Sequence, residues 1–285
     1  MVLLQQCYRG GLIALMFLLG LIAVKTIMPG IRKIAGVRTQ NWCDAIVLKW
    51  NRTACRILNL DIKISGRPDS IAGLTVANHV SWLDIIAIGS LQPLTFVSKA
   101  EVANWPVMGQ LAKGIGTVFI RRGDSVQAGA VCEDMARMLR QGQRLMLFPE
   151  GTTTRGDRVL RFHGKLFQPA QAAGSRIQTL ALRYRDEAAG RAPFVGDDQF
   201  LPHLLGILAL KRIELEIHYC PALPNGLRRD QIARVARLQI VEKLQLTEHR
   251  REPHFDRHRT ITNYSHTRHK PTLPLRQPKQ AGASQ

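Results

Sequence analysis

The chain of 285 residues carries 40 Lys+Arg against 21 Asp+Glu, a formal net charge of +19, with 45% apolar and 6% aromatic residues. That apolar content excludes wholesale disorder; five Cys with no C-x-x-C pair or zinc spacing argue against a disulfide framework or structural metal and fit a reducing compartment. The cationic excess favours a polyanionic partner, whether nucleic acid, an anionic membrane or phosphorylated substrates.

Residues 10–24 contain no charge, and the apolar run resumes after Lys25 to Met28. At ~1.5 Å per residue the uncharged part spans roughly 22 Å, short of a hydrocarbon core of roughly 30 Å. With Lys25 snorkelling, 10–28 just crosses; otherwise it lies shallow as a monotopic anchor. A secretory signal peptide is the rival reading, with only Arg9 in its n-region and no A-x-A site after it. Lys25, Arg32, Lys33 and Arg38 follow the segment and place the rest of the chain on the cytoplasmic side.

Residues 40–58 read as a second helix. Trp42, Ile46, Trp50, Ala54 and Ile57 keep helical spacing beside a basic stripe of Lys49, Arg52 and Arg56. Such a helix suits either a lipid headgroup boundary or packing against the domain.

Beyond it, short apolar segments at 61–65, 74–78, 95–99, 117–121, 144–148, 177–184 and 212–220 read as strands. The clearest intervening helix is 126–141, capped by Asp124 or Ser125 and ended by Gly142. In 212–220, Ile213, Leu215, Ile217 and Tyr219 alternate with Glu214, Glu216 and His218. Strands interleaved with helices predict an α/β fold, a mixed and mostly parallel sheet flanked by helices and preceded by membrane-associated N-terminal helices. The apolar stretch 201–210 reads as a buried helix or as one lying near the bilayer. From Arg250 the chain holds eight Lys+Arg, two acidic residues and four Pro, a basic tail that cannot bury a core. The expected organisation is an anchor and interfacial helix over 1–60, a catalytic domain over 61–247 and a basic disordered tail over 248–285.

No G-x-S-x-G, G-x-x-x-x-G-K-[ST], G-x-G-x-x-G or H-E-x-x-H signature is present. What remains is His79-Val80-Ser81-Trp82-Leu83-Asp84, at the carboxyl end of the strand 74–78, where α/β proteins place their sites. The H-x-x-x-x-D spacing lets the carboxylate reach one imidazole nitrogen and leaves the other as a general base. The plainer reading is a helix-entry His beside a capping Asp. Phe148-Pro149-Glu150-Gly151-Thr152-Thr153-Thr154-Arg155 ends a strand in small residues, hydroxyls and a guanidinium, a loop that suits a phosphate or a polar headgroup. Gly116-Thr117-Val118-Phe119-Ile120-Arg121-Arg122 delivers two Arg at another strand end.

Taken together, N-H-x-x-x-x-D, G-T-V-F-I-R-R and F-P-E-G-T, in that order, resemble the glycerophospholipid acyltransferase family over roughly residues 40–225. The resemblance implies that His79 is the catalytic base and Asp84 its orienting partner. It implies substrate-binding roles for Arg122, Glu150, Gly151 and Thr152, with Arg121 and Arg155 as further candidates beside them. It also implies that the N-terminal helices dock the protein on a membrane.

Three features depart from the family pattern. Thr153 and Thr154 intervene before Arg155, Arg121 stands where Asp is frequent, and 177–180 lacks the usual Pro. The expected reaction moves a fatty acyl chain from acyl-CoA or acyl carrier protein to a lyso-lipid hydroxyl, foremost 1-acyl-sn-glycerol-3-phosphate, giving phosphatidic acid. Acylation of another lyso-lipid, such as lyso-ornithine lipid, is the alternative, and the stretch 195–198 resembles that wider branch; a membrane-bound thioesterase or lipase is a further rival. No metal, cofactor or nucleic acid is expected, only membrane lipids and the acyl donor. The expected location is the cytoplasmic face of a bacterial-type inner membrane.

Overall fold

The computed structural model describes residues 2–34, 39–121 and 125–246. Arg38, Arg122, Asp124 and the tail from 248 therefore lie outside the described residues.

The chain opens with α1 (Val2–Ile22), a π turn (Ala23–Ile27) and α2 (Met28–Ile34), a longer helix than the uncharged run alone suggests. The turn precedes Pro29, whose ring cannot sit over an unbroken preceding turn and which has no N–H to donate. Leu3–Ile34 is long and apolar enough to cross a membrane, and only 22% of its most apolar window is buried, so it is not an ordinary core helix.

Helix α3 (Thr39–Leu58) buries Cys43, Ala54, Cys55 and Leu58 while Trp42 stays exposed. Its Trp50 indole donates to Met16 O of α1 at 3.2 Å, and Arg52 donates to Ser90 O at 3.0 Å. The helix is thus packed on the domain along most of its length.

Seven strands follow at the places the apolar runs predict: β1 (Leu60–Gly66), β2 (Ala72–Ala77), β3 (Thr95–Lys99), β4 (Val118–Ile120), β5 (Leu145–Leu147), β6 (Arg176–Tyr184) and β7 (Ile213–Tyr219). They form one sheet in the order β1-β7-β6-β2-β5-β3-β4, parallel throughout except for the β6–β7 pair. Between them lie α4 (Leu83–Gly89), α5 (Met108–Gly114), α6 (Ser125–Arg140), α7 (Gln168–Ala173), α8 (Asp186–Arg191), α9 (Phe200–Ala209) and α10 (Arg229–Lys243). Gly142 ends α6 as predicted, with φ +78°, and its N–H donates to Leu139 O. Gly66 ends β1 at φ +77°, where a Cβ would stand 2.1 Å from Tyr219 O, so only glycine closes that strand.

Strand alternation sorts the core into two layers. Leu180, Leu182 and Tyr184 of β6 join Leu215 and Ile217 of β7 against α1, α3, α4, α8 and α9. Ala181, Leu74, Val76, Leu145 and Leu147 face α6, α7 and α10. The first 60 residues thus share a core with the seven-stranded sheet through Ile13, Met16, Ala54 and Leu58. The stretch 201–210 forms α9, which buries Leu204, Ile207 and Leu208 in the core and exposes Leu201 and Leu205.

Polar side chains fix the sheet where β2 runs out. Asn78, fully buried, donates from Nδ2 to Leu182 O at 3.0 Å and accepts at Oδ1 from Leu182 N at 2.8 Å, continuing the β2–β6 ladder with a side chain. Gln178, in the segment that lacks the family's Pro, donates to Arg67 O and Cys220 O and accepts from Asp69 N. Replacing Asn78 by Ala leaves a buried N–H and a buried C=O on β6 unpaired. N78A should therefore lose about 2–4 kcal/mol of unfolding free energy, read from urea melts in detergent; a loss below about 0.5 kcal/mol would mean the ladder does not need this side chain.

Candidate active site

Three neighbouring strands, β6, β2 and β5, end on the same edge of the sheet, and their continuations meet there. From β2 comes His79. Its Nδ1 lies 2.8 Å from Asp84 Oδ2, the pairing that the five-residue spacing predicts. Asp84 sits in the first turn of α4 and is fully buried.

A buried carboxylate needs a donor for each lone pair that leaves water. The turn supplies two, since Val80 N and Ser81 N donate to Oδ2 at 2.7 and 2.9 Å. Oδ1 is taken by the Tyr184 hydroxyl from the end of β6, at 2.7 Å. Burial and the neighbouring Asp84 charge push the Tyr184 phenol well above its usual value of 10, so it remains a donor. With Oδ2 accepting from three groups, His79 Nδ1 carries the proton in that bond and Nε2 is left with its lone pair. The ring stacks on Phe148 from the end of β5, centroids 3.8 Å apart and planes 10° apart, which fixes its plane.

Tyr184 was not singled out by the sequence. The one signal available was a hydroxyl ending the inward-facing row Leu180, Leu182, Tyr184 of a buried strand. Ser81, two residues after the His, has an Oγ with no partner among the described residues and is fully buried, so it cannot reach a substrate.

The loop after β5 is built around Glu150, which lies beneath the loop at 3% exposure. Oε1 accepts from His79 N at 2.9 Å and Oε2 from Leu160 N at 2.7 Å. Gly151 N closes the turn on Phe148 O at 3.0 Å, and Gly151 itself is at φ +65°. Thr154 N donates to His79 O at 2.8 Å, so the two motif loops are stitched together across His79's own peptide groups. Thr152 and Arg155 stand exposed on the same loop. Arg121 is exposed just past β4, three strands from β2, roughly 14 Å at strand spacing. The structure thus brings His79, Asp84, Glu150 and Gly151 together. Arg121 lies across the sheet edge. Among the described residues no group of three or more His, Cys, Asp or Glu is placed to hold a metal ion.

A family model described as Acyltransferase matches residues 61–183. The chain is 42% identical to a lyso-ornithine lipid O-acyltransferase of Pseudomonas aeruginosa, over 67% of this chain and 75% of that protein. It is 38% identical to the protein of the same description from Rhodobacter capsulatus, over 72% and 76%. A 1-acyl-sn-glycerol-3-phosphate acyltransferase of Neisseria gonorrhoeae is 36% identical, over 51% and 58%. The crystal structure of the 1-acyl-sn-glycerophosphate acyltransferase PlsC from Thermotoga maritima shares the fold, with a TM-score of 0.59 at 17% identity, covering 86% of this chain and all of that one.

Glu150 also gives the site a pH signature. Burial pushes its carboxyl up to about 7, with a smaller push from Asp84, against the downward pull of the Leu160 and His79 N–H donors and of Arg237. A carboxyl whose folded value exceeds its unfolded one binds protons more tightly when folded. Its contribution to stability is full below the ordinary value of 4.5, declines as pH rises, and is gone above about 7. Between pH 4.5 and 7.5 the wild type should lose up to about 3 kcal/mol of unfolding free energy relative to E150Q, read from urea melts. A pH-independent difference would mean that the two N–H donors hold the group charged throughout.

Proposed function

The chain belongs to the acyltransferase family, and from that premise we propose that it moves an acyl group from a thioester onto the free hydroxyl of a lyso-lipid, with His79 as the base. The observation that carries this reading is His79 itself. Its Nδ1 is committed to Asp84, its ring plane is held by Phe148, and Nε2 is the remaining basic atom.

In the proposed step the acceptor oxygen attacks the thioester carbonyl carbon while its proton passes to His79 Nε2. The tetrahedral intermediate then collapses, the C–S bond breaks, and the departing thiolate takes that proton, leaving an ester and a free thiol. Asp84 holds the ring and stabilises its cationic form. The chemistry needs no covalent enzyme intermediate, and Ser81, the nearest hydroxyl in the motif, is buried away from any acceptor. The acyl donor is a thioester substrate, acyl-CoA or acyl carrier protein, rather than a resident cofactor.

Exposed Arg121, Arg155 and Thr152 supply donors for the acceptor's polar end, and Gly151 shapes the turn that presents Thr152. Arg122 is assigned to the same task from its motif position. The apolar helix Leu3–Ile34, with Lys25, Arg32 and Lys33 along it, supports a membrane-bound enzyme with its site on the cytoplasmic face of a bacterial-type inner membrane. The relatives named for lyso-ornithine lipid and for 1-acyl-sn-glycerol-3-phosphate support a lyso-lipid acceptor.

Membranes holding the protein, incubated with acyl donor and a panel of lyso-lipids, should yield acylated lipid by mass spectrometry. Free fatty acid in its place would make the protein a thioesterase. H79A should lose at least about 100-fold in rate while remaining folded and membrane-bound, and retained turnover would overturn the assignment. Y184F, which removes one anchor of Asp84 and keeps its shape, should lower kcat about tenfold with little change in KM. It should add nothing further in a D84N background, whereas additive losses would make Tyr184 merely structural.

A further inference from the structure

Beside the catalytic loop, α8, the segment 193–198, the start of α9 and Arg155 enclose a shallow recess of about 270 Å³. It is bonded to the catalytic motif at several points. Phe194 N donates to Val80 O at 3.0 Å, and Thr153 Oγ1 donates to Phe194 O. The Trp82 indole donates to His203 Nδ1 at 3.1 Å, which leaves His203 Nε2 to donate to Pro193 O at 3.1 Å. His203 is therefore spent on holding Trp82 and Pro193. The charges that line the recess are those of Arg155, Arg191 and Asp198.

Neither guanidinium has an ion-pair partner among the described residues. Asp198 Oδ2 accepts from Val195 N at 2.8 Å, and its Oδ1 is left open. Two unpaired guanidiniums and one half-used carboxylate in one recess do not match a phosphate dianion, which Asp198 would repel. They match a headgroup carrying one carboxylate and one ammonium, the first forked by Arg155 and Arg191, the second taken by Asp198. The outer wall is α9, where Leu201 and Leu205 are 63% and 46% exposed next to Pro202 and Gly206 of the recess. An apolar ridge leading away from a zwitterion-matched recess has the polarity of a single-chain lipid.

We propose that this recess is the acceptor headgroup site and that it selects a lyso-lipid with a zwitterionic amino-acid head. The proposal rests on the lyso-lipid acyl transfer described above and narrows its acceptor. Its test compares lyso-ornithine lipid with 1-acyl-sn-glycerol-3-phosphate as acceptors in mixed micelles, with one thioester donor, for the full-length wild type, D198N and R191Q. Asn at 198 keeps a carbonyl oxygen for Val195 N and deletes only the charge, so the turn is preserved.

The wild type should acylate lyso-ornithine lipid, and each variant should shift the ratio of the two kcat/KM values away from it by about tenfold, through KM. An unchanged ratio, or a wild type that acylates only the phosphate acceptor, overturns the headgroup site and leaves the acyltransferase reading standing. A wild type that acylates neither lipid overturns both.

Discussion

A carboxylate with no exposed surface is the constraint around which the rest of this protein is arranged. Asp84 can be buried only because four donors converge on it: one ring N–H, two peptide N–H groups and one phenol. Three of the four lie within five residues of it, and a tight turn suffices to deliver them. The fourth comes from β6, so the strand after α7 must return beside β2 rather than at an edge of the sheet. Asn78 continues the β2–β6 ladder at that point, and Tyr184 stands two residues beyond Leu182, on the same face of β6.

A second buried carboxylate works on the opposite element of the same histidine. Asp84 governs the imidazole, whereas Glu150 holds the peptide N–H of His79 and, through Leu160, the far limb of its own loop. The side chain and the backbone of His79 are thus fixed by different acids, one in the first turn of α4 and one in the loop after β5. Burial, with a smaller push from the nearby Asp84 charge, lifts the Glu150 carboxyl far above its ordinary value. This arrangement assigns Glu150 to the frame of the site, while Thr152 and Arg155 occupy its surface.

Local information made much of this legible. Each strand is a short apolar run between breakers, and every one is found where the run predicts. His79 and Asp84 are five residues apart, so a single turn brings them together. The order of the strands and the reversal at β7 are set by how crossovers pack, which no window of sequence contains. Tyr184 meets Asp84 across 100 positions, and Asn78 meets Leu182 across 104, both through hydrogen bonds that composition and periodicity do not encode. The sequence reading placed Glu150 in the acceptor loop; its burial follows from backbone donors, which the side-chain pattern does not display. Arg191, Asp198 and His203 come from α8, a linking segment and α9, and nothing in their spacing points to one recess.

The join between α1 and α9 carries a consequence of another kind. Gln5 donates to Leu208 O and Leu210 O and Arg9 to Leu210 O at 2.7 Å, at the carbonyl-rich end of α9, while Gln6 donates to Leu205 O one turn earlier. Polar groups of this kind are costly to part in an apolar medium, so under the membrane-bound arrangement proposed above α1 acts as a ruler rather than a tether. In that arrangement the stack of α1, α9 and the sheet sets the depth of His79 Nε2 relative to the lipid surface, and a hydroxyl comes within reach only if its molecule carries it at that height.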